Sequence, residues 1–528
     1  MTKQKDLDSR EVQALAKLIE EATRSSASGV KYFLEPAQGV LDRAMAKRHH
    51  IVFGRRGSGK SSLLHKIETE AAINRNPVVF VDMEEFKGHS YPDVLVSVLL
   101  KIMNGFDEWL STTAVAPANK ANFWRRLFGK TPETKSLNRK EATILRERVG
   151  NLSCELNKLL FSASEAVSKL TDEESIERRR KLDVSVSGKV EAMGSGLSSS
   201  GALSGSDANT LARSLVQEYT SKKIETLHRM IIEIKRLLSD LSRYAGNQGY
   251  VLIDDLYHIR TASQADVIDY LHRVCKGTGI WLKIGTIRHR TRYYLSGDPP
   301  RGMKIGDDAD DIDLDVTLEK YQLTKRFLFR VLEQFCLEKS IKLNDIITNG
   351  ARDRLVLASG GVARDFLTSF RRSISIARER IANEENARGP KIGAEDVNVA
   401  AGENDANKRE EFNADAPTQE QKDLMELFGR IRTHCIDANN SNCFLIDKDY
   451  RGSEVEKIGE LVDLKFIHHI SSRVTVRDRT GRVYDAYMLD LSQYTGERTK
   501  RNLDVIEFWD SKMADKLGGV DKVDSQIT

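Results

Sequence analysis

The chain has 528 residues, of which 40% are hydrophobic and 30% are charged, and its formal net charge at pH 7 is only +4. This composition is typical of a soluble globular protein with about two to four domains, and it excludes a protein that binds nucleic acid through overall basicity alone. No run of about eighteen apolar residues predicts a membrane span, and no apolar stretch follows the polar N-terminus as in a signal peptide. Five scattered cysteines without a C-x-x-C pair indicate reduced thiols in a cytoplasmic protein.

Residues 9–24 predict an amphipathic helix, because apolar residues recur at helical spacing from Val12 to Ile19. A second segment, residues 32–50, leads directly into the apolar strand pattern of residues 51–53. What this second segment contacts depends on the motif that follows the strand.

The sequence from Gly54 to Ser61 matches the pattern G-x-x-x-x-G-K-[ST] of a phosphate-binding loop, and it lies between a strand pattern and a helical one. Its glycines let the backbone curl so that N–H groups face phosphate oxygens, and the following helix adds the positive end of its dipole. We expect Lys60 to contact the β- and γ-phosphates of ATP and the Ser61 hydroxyl to coordinate Mg²⁺. Residues 32–50 then either pack near the base and ribose or make ordinary helix-to-strand contacts. The candidate nucleotide-binding residues are Gly54, Arg55, Arg56, Gly57, Ser58, Gly59, Lys60, Ser61 and Ser62.

A buried parallel strand is predicted over residues 77–82, which are apolar and end in an acid. A helix follows, and then residues 106–245 interrupt the alternation of strands and helices. Two long helical patterns, 138–180 and 207–243, predict an antiparallel helix pair in this insertion. The residues between them alternate and then become rich in Gly and Ser, which fits a protruding β-hairpin or a surface loop.

Four apolar residues precede Asp254 and Asp255, which again predicts a buried strand that ends in acids. Downstream of a phosphate loop, this is the Walker B pattern, in which Asp254 holds Mg²⁺ and Asp255 orients or deprotonates the attacking water. The next strand ends at Thr286, and ligands of open α/β sheets lie at this edge. Thr286 is therefore a candidate to sense the γ-phosphate.

Several basic residues follow that strand, beginning with Arg288. They form either an arginine finger for a neighbouring subunit or a solvated basic loop. Residues 297–315 and 389–416 are rich in turn-forming and acidic residues, and we predict both as linkers. Between them, a Gly-Gly pair starts a helix whose first turn carries Arg364.

The last unit combines two helical patterns with three strand patterns and a basic turn that carries Arg477, Arg479 and Arg482. This order predicts a winged helix, which binds duplex DNA with a helix and a wing. The same layout also serves as a protein-docking module, and the sequence does not decide between the two.

Together, these motifs resemble those of AAA+ ATPases of the origin-recognition branch, and STAND P-loop NTPases share much of the pattern. The resemblance implies a helical lid, identifies Thr286 with sensor 1 and Arg364 with sensor 2, and implies self-assembly through an arginine such as Arg288 at the next subunit's ATP. Asp255 stands where this family usually has Glu, and Thr286 where Asn is common. Because the Asp255 carboxylate is one methylene shorter, we expect slow hydrolysis.

We therefore predict an α/β P-loop NTPase with a three-layer core, a helical lid, a long helical insertion and a C-terminal winged helix. Its predicted function is an ATP-binding and ATP-hydrolysing switch that forms a homo-oligomer and engages duplex DNA or a partner protein. The alternative is a STAND-like sensor of a bacterial antiphage defence system that acts through a separate effector protein. The predicted divisions are 1–105 and 246–315 (core), 106–245 (insertion), 316–400 (lid), 417–500 (winged helix) and 501–528 (tail).

Overall fold

The computed structural model describes residues 6–23, 31–113, 138–161, 205–246, 248–383, 388–414, 419–452, 454–476, 481–495, 505–510 and 516–517. The strands are His50–Phe53 (β1), Val78–Asp82 (β2), Gly249–Asp254 (β3), Ile280–Thr286 (β4), Tyr294–Leu295 (β5), Arg301–Gly302 (β6), Asp310–Asp313 (β7), Cys443–Asp447 (β8), Ile467–Val474 (β9) and Tyr484–Leu489 (β10). The α-helices are Arg10–Thr23 (α1), Val40–Ala44 (α2), Lys60–Ile73 (α3), Asp93–Thr113 (α4), 139–161 (α5), Gly205–Tyr244 (α6), Thr261–Cys275 (α7), Tyr321–Glu338 (α8), Leu343–Ile346 (α9), Asn349–Ser359 (α10), Ala363–Ala382 (α11), Ala394–Ala414 (α12), Gln419–Thr433 (α13), Glu454–Asp463 (α14) and Ser492–Thr495 (α15).

The central sheet consists of five parallel strands in the order β2-β3-β4-β1-β7. Helices α2 and α3 cover one face, and α4, α7 and the insertion helices pack on the other. Strands β1 and β3 are buried along their whole length, as expected for parallel strands with helices on both faces. Because the strands are parallel, the residues that follow β1, β2, β3 and β4 meet at one edge of the sheet.

Two segments predicted as linkers are parts of the fold instead. Strand β7 lies within residues 297–315 and pairs with β1 at the edge of the central sheet. Its acidic sequence hid the strand, since only Ile312 on it is buried. Helix α12 lies within residues 389–416 and packs on α10 and α11.

The insertion contains two helices where the sequence predicted them, α5 and α6, and their apolar faces join the core beneath the central sheet. Residues 162–180 of the first predicted helix lie outside the described residues. Leu145 and Leu152 of α5 are buried together with Leu227 and Leu237 of α6. The proposed hairpin or loop over residues 182–206 lies almost entirely outside the described residues. Among the described helices, none is both long enough and apolar enough to span a bilayer.

The C-terminal module comprises α13, β8, α14, β9 and β10, with an antiparallel sheet in the order β8-β10-β9. Its apolar residues do not form a separate core. Phe428 and Phe466 belong to the same buried cluster as Leu355 of α10 and Phe366 of α11. These two helices lie in residues 316–400, the segment that was predicted as the lid and is called the lid below. This segment and the C-terminal module therefore share one core.

Candidate nucleotide-binding site

The phosphate loop connects β1 to α3 at the carboxyl edge of the central sheet. Gly57 and Gly59 have φ angles of +90° and +102°, and residues with a side chain rarely adopt this region. Lys60 begins α3 and is buried, and its ammonium group donates to the carbonyls of Gly54 and Arg55 at 2.9 and 3.2 Å. The loop therefore curls around the lysine. The N–H groups of Gly54 and Ser58 are bonded within the protein, whereas the first N–H groups of α3 have no acceptor within the helix and can donate to an anion.

Strand β3 ends beside this loop and delivers two carboxylates. Asp254 is 5% exposed and forms a hydrogen bond with the Ser61 side chain; burial and the neighbouring Asp255 raise its pKa to about 6. Burial also lowers the pKa of Lys60, against the opposing effects of Asp255 and Asp254. A cation next to Asp254 would offset the cost of burying its negative charge.

The lid contributes the third part of the site. Helix α11 begins at Ala363, and its N-cap Val362 follows Gly360 and Gly361, so that Arg364 lies in its first turn. The Arg364 N–H donates to the Gly57 carbonyl at 3.3 Å. A Cβ atom added to Gly57 would lie only 2.7 Å from Cβ of Arg364. The close approach of lid and loop thus requires glycine at position 57.

These parts surround a cavity of about 330 Å³, within the usual range for small-molecule sites. Its polar end is lined by Arg56, Gly57, Ser58, Gly59, Lys60, Ser61, Ser62, His65, Asp82, Glu84, Asp254, Asp255, His258 and Arg364. The rest of its wall is mostly apolar and is lined by Ala22, Thr23, Tyr32, Phe33, Leu34, Phe80, Phe327, Val331, Phe335, Ala363 and Leu367. The cavity lining therefore combines two sets of residues: one with cations, backbone N–H groups and carboxylates, called the polar end, and one with aromatic rings, called the aromatic end.

The aromatic end bears on the two alternatives left open for residues 32–50. Tyr32 stacks on Phe335 of α8 with ring centroids 4.2 Å apart. Phe33 is half-buried and lies near the loop, since a Cβ on Gly59 would be 3.9 Å from its ring. Residues Tyr32 to Leu34 are therefore part of the cavity wall and not only helix-to-strand packing.

The residues at the polar end suit Mg²⁺. Ser61 and Asp254 provide oxygen ligands, as Mg²⁺ prefers, and Asp82 and Glu84 add negative charge nearby. Among the described residues, no group of three or more His, Cys, Asp or Glu side chains forms a metal site by itself. This agrees with the chemistry of Mg²⁺, which usually takes its remaining ligands from water and substrate phosphates.

Seven of the nine predicted loop residues line the cavity, together with Asp254, Asp255 and Arg364. Gly54 and Arg55 do not. Gly54 instead donates from its N–H to the carbonyl of Thr286 at 3.2 Å. The Arg55 side chain turns away, forms an ion pair with Asp315 at 3.3 Å and donates to the Gly360 carbonyl at 2.9 Å. It anchors the loop to the lid.

Two further predicted residues lie outside the cavity lining. Thr286 is completely buried, and its hydroxyl is hydrogen-bonded to that of Thr291. Arg288 forms an ion pair with Asp311 of β7 at 3.1 Å, and its guanidinium lies 4.0 Å from the centre of the Phe53 ring. Arg288 is thus tied to the edge of the sheet within its own subunit.

The central sheet, the loop after β1 and the carboxylates after β3 together define the fold class. This is a P-loop NTPase fold.

Two proteins of known structure are similar to this chain. ORC1 of Aeropyrum pernix, solved in complex with DNA, is 12% identical with a TM-score of 0.31, and the match covers 89% of this chain and 88% of that one. A Walker-type ATPase of Pyrococcus abyssi is 12% identical with a TM-score of 0.39, and the match covers 86% of this chain and 92% of that one. No protein-family model matches the chain, and no curated protein matches it. At these scores, neither structural similarity assigns a function.

The sequence reasoning missed the lid side of the cavity. Phe327, Val331 and Phe335 recur every four residues on α8 and line one wall. The spacing was readable, but it also describes any helix that faces a hydrophobic core. The sequence reasoning also missed Glu84, which follows the acidic end of β2. This end lies next to the end of β3, because Asp82 is the pairing partner of Asp254.

Proposed function

We propose that the protein binds ATP with Mg²⁺ in this cavity, hydrolyses it slowly, and works as an AAA+-like switch. The observation that carries the proposal is the convergence of Lys60, Ser61, Asp254 and Arg364 on one cavity that also has an aromatic end. Phosphates fit the polar end, and a flat apolar base fits the rings.

The site residues take distinct roles in this proposal. Lys60 and the loop N–H groups hold the β- and γ-phosphates, and Arg364 contacts the γ-phosphate from the lid. Ser61 and Asp254 hold Mg²⁺, which supplies neutralisation of charge on the phosphate oxygens when it is bound. Asp255 orients the attacking water and accepts its proton. The short Asp255 side chain makes hydrolysis slow.

ATP also provides the energy of the switch. A ligand present at about one hundred times its Kd stabilises the state that binds it by about 2.7 kcal/mol. Arg364 reaches the cavity from the lid, and the lid shares its core with the C-terminal module. ATP binding therefore biases the position of the lid and of this module together.

The C-terminal module is the candidate winged helix, and duplex DNA is its proposed target. Arg477 and Arg479 of the predicted wing lie outside the described residues. Arg482 forms an ion pair with Asp447 at 2.9 Å and stays 59% exposed.

We further propose that ATP promotes a homo-oligomer in which Arg288, 37% exposed, faces the next subunit's nucleotide.

A second candidate is a STAND-like sensor ATPase, for example in antiphage defence, whose C-terminal module docks a separate effector protein. The ion pair between Arg482 and Asp447 favours it, because an arginine already paired within its own module gives less to a phosphate contact.

The deciding experiment measures ATP turnover with and without duplex DNA, and Lys60→Ala serves as the blank. Turnover that DNA stimulates in the wild type, and not in the blank, supports the DNA-coupled switch. Turnover that ignores DNA supports the sensor function. A wild-type protein that binds ATP no better than the blank would refute both.

A further inference from the structure

Lys465 is a residue of the C-terminal module in an unusual backbone conformation. It follows α14, and its φ angle is +65°, in the left-handed region. Its N–H donates to the Val462 carbonyl, and that of Phe466 donates to the Leu461 carbonyl, each at 3.0 Å. Glycine is the usual residue at such a helix end, because a side chain there is strained. Such strain is often found where a side chain has a function, which makes the contacts of the Lys465 side chain informative.

The Lys465 side chain crosses to the nucleotide site. Its ammonium group donates to the carbonyl of Arg56 at 3.2 Å and to the Asp365 carboxylate at 2.7 Å. The Lys465 and Asp365 side chains are only 13% and 19% exposed. One cation of the C-terminal module thus joins the phosphate loop to the first turn of α11, where Asp365 is the direct neighbour of Arg364.

The joint between loop and lid leaves little room for movement. Arg364 donates to the Gly57 carbonyl, and its Cβ lies where a Cβ of residue 57 would collide. A small rotation of the first turn of α11 therefore changes where the Arg364 guanidinium lies relative to the phosphates. Lys465 opposes that rotation because it holds Asp365 and Arg56 at the same time.

Other contacts hold the module against the core and the lid without Lys465. The His468 ring packs so closely on Gly360 that a Cβ there would lie 2.1 Å from it. The Asp463 carboxylate accepts from the His289 N–H at 3.3 Å, and Ser472 donates from its N–H to Glu319 at 3.1 Å. Loss of the lysine alone is therefore expected to leave the module docked, so its effect on the site can be measured separately.

We propose that Lys465 is a positioning residue of the nucleotide site, which the C-terminal module supplies to set Arg364 for the γ-phosphate. The proposal rests on the proposed ATP-binding function and goes beyond it, because it makes the C-terminal module part of the device that distinguishes ATP from ADP. ADP lacks the γ-phosphate, so its affinity depends on the phosphate loop and not on Arg364.

The test compares the Kd values of MgATP and MgADP for the full-length protein by isothermal titration calorimetry. Lys465→Ala is expected to weaken MgATP about 5- to 10-fold, as for a disturbed charge-assisted contact, and to change MgADP by less than about twofold. Lys465→Arg should restore the ATP preference. Lys448→Ala is the matched control, since Lys448 lies in the same module and forms an ion pair with Asp485 at 3.5 Å. Lys465→Met keeps the aliphatic stem and replaces the alanine variant if that one does not fold.

A double-mutant cycle with Arg364→Ala shows whether the lysine acts through the arginine. In the Arg364→Ala background, the loss of Lys465 should no longer change the ratio of the two Kd values. An unchanged ratio in Lys465→Ala, an equal loss in Lys448→Ala, or additive effects in the cycle would overturn the positioning role alone. A wild-type protein that binds neither nucleotide would overturn the proposed function as well.

Discussion

The two ends of the cavity are built in different ways. Half of the polar end comes from one continuous stretch, Arg56 to Ser62, to which His65, residues at and after the carboxyl ends of β2 and β3, and Arg364 of the lid are added. The apolar wall comes from segments far apart in the chain: the end of α1, residues 32–34, strand β2, and helices α8 and α11. Within the described residues, the cavity thus combines a local sequence motif with a wall that is formed by distant segments of the chain.

This difference separates what each end requires. The polar end needs particular residue types at fixed spacing, since only glycine tolerates the φ angles of Gly57 and Gly59. The apolar wall needs only surface of suitable shape, which many side chains provide. We therefore expect substitutions at the polar end to remove binding of the triphosphate, and substitutions at the apolar wall to weaken all nucleotides to a similar and smaller degree.

The largest expected effect is at the polar end. Lys60→Ala should weaken ATP about 100-fold, because hydrogen bonds between a charged donor and phosphate contribute about 1.5 to 3 kcal/mol each. Binding of a fluorescent ATP analogue measures it. Lys66→Ala is the control, since Lys66 lies on the same helix and pairs with Glu70 at 3.3 Å outside the cavity. Equal affinity in the Lys60 and Lys66 variants would contradict the assignment of the polar end.

The contrast also explains how much of the molecule was predictable from its sequence. The phosphate loop, Asp254 at the end of an apolar strand, and Arg364 after a Gly-Gly pair can each be recognised from neighbouring residues in the sequence. The structure brings them together in one cavity. Strand β7 and helix α12 were predicted as linkers, because their composition is acidic and tertiary pairing decides their structure.

Side-chain direction was the second limit. Thr286 and Arg288 were assigned from their position after a strand, a rule that locates a residue at the sheet edge but does not aim its side chain. The Thr286 hydroxyl is hydrogen-bonded to that of Thr291 instead. Arg288 is paired with Asp311, and its role toward a neighbouring subunit stays a prediction. The sequence did not predict a role for Lys465, because no local pattern connects it with the phosphate loop about four hundred residues earlier in the chain.

The second prediction concerns the charge at the polar end. Burial and the neighbouring Asp255 raise the pKa of Asp254 from 3.8 to about 6. Above that pH the carboxylate is ionised, and its buried charge destabilises the folded state. Its other charged neighbours are Lys60, which opposes the shift, and Asp82, which adds to it. Without nucleotide, Asp254→Asn should therefore raise the free energy of unfolding at pH 7.5 by about 1 to 3 kcal/mol.

The size of this effect depends on pH. A raised pKa gives stability that is complete below the unfolded value of 3.8 and is lost as the pH rises through about 6. The advantage of the asparagine variant should thus shrink as the pH falls from 7.5 to about 4. Thermal unfolding at several pH values measures it, with Glu85→Gln as a control outside the cavity. An advantage that does not change with pH would mean that burial of the charge is not its cause.

The smallest expected effect is at the apolar wall and sharpens the comparison most. Phe33→Ala should weaken ATP, ADP and AMP alike by about 5- to 10-fold, because the lost contact is with the base and an aromatic contact contributes about 1 kcal/mol. Leu323→Ala is the control, since this residue of α8 is 56% exposed and does not line the cavity. If Phe33→Ala weakened ATP and left AMP unchanged, the ring would act on the phosphates, and the division of the cavity into a phosphate end and a base end would be wrong.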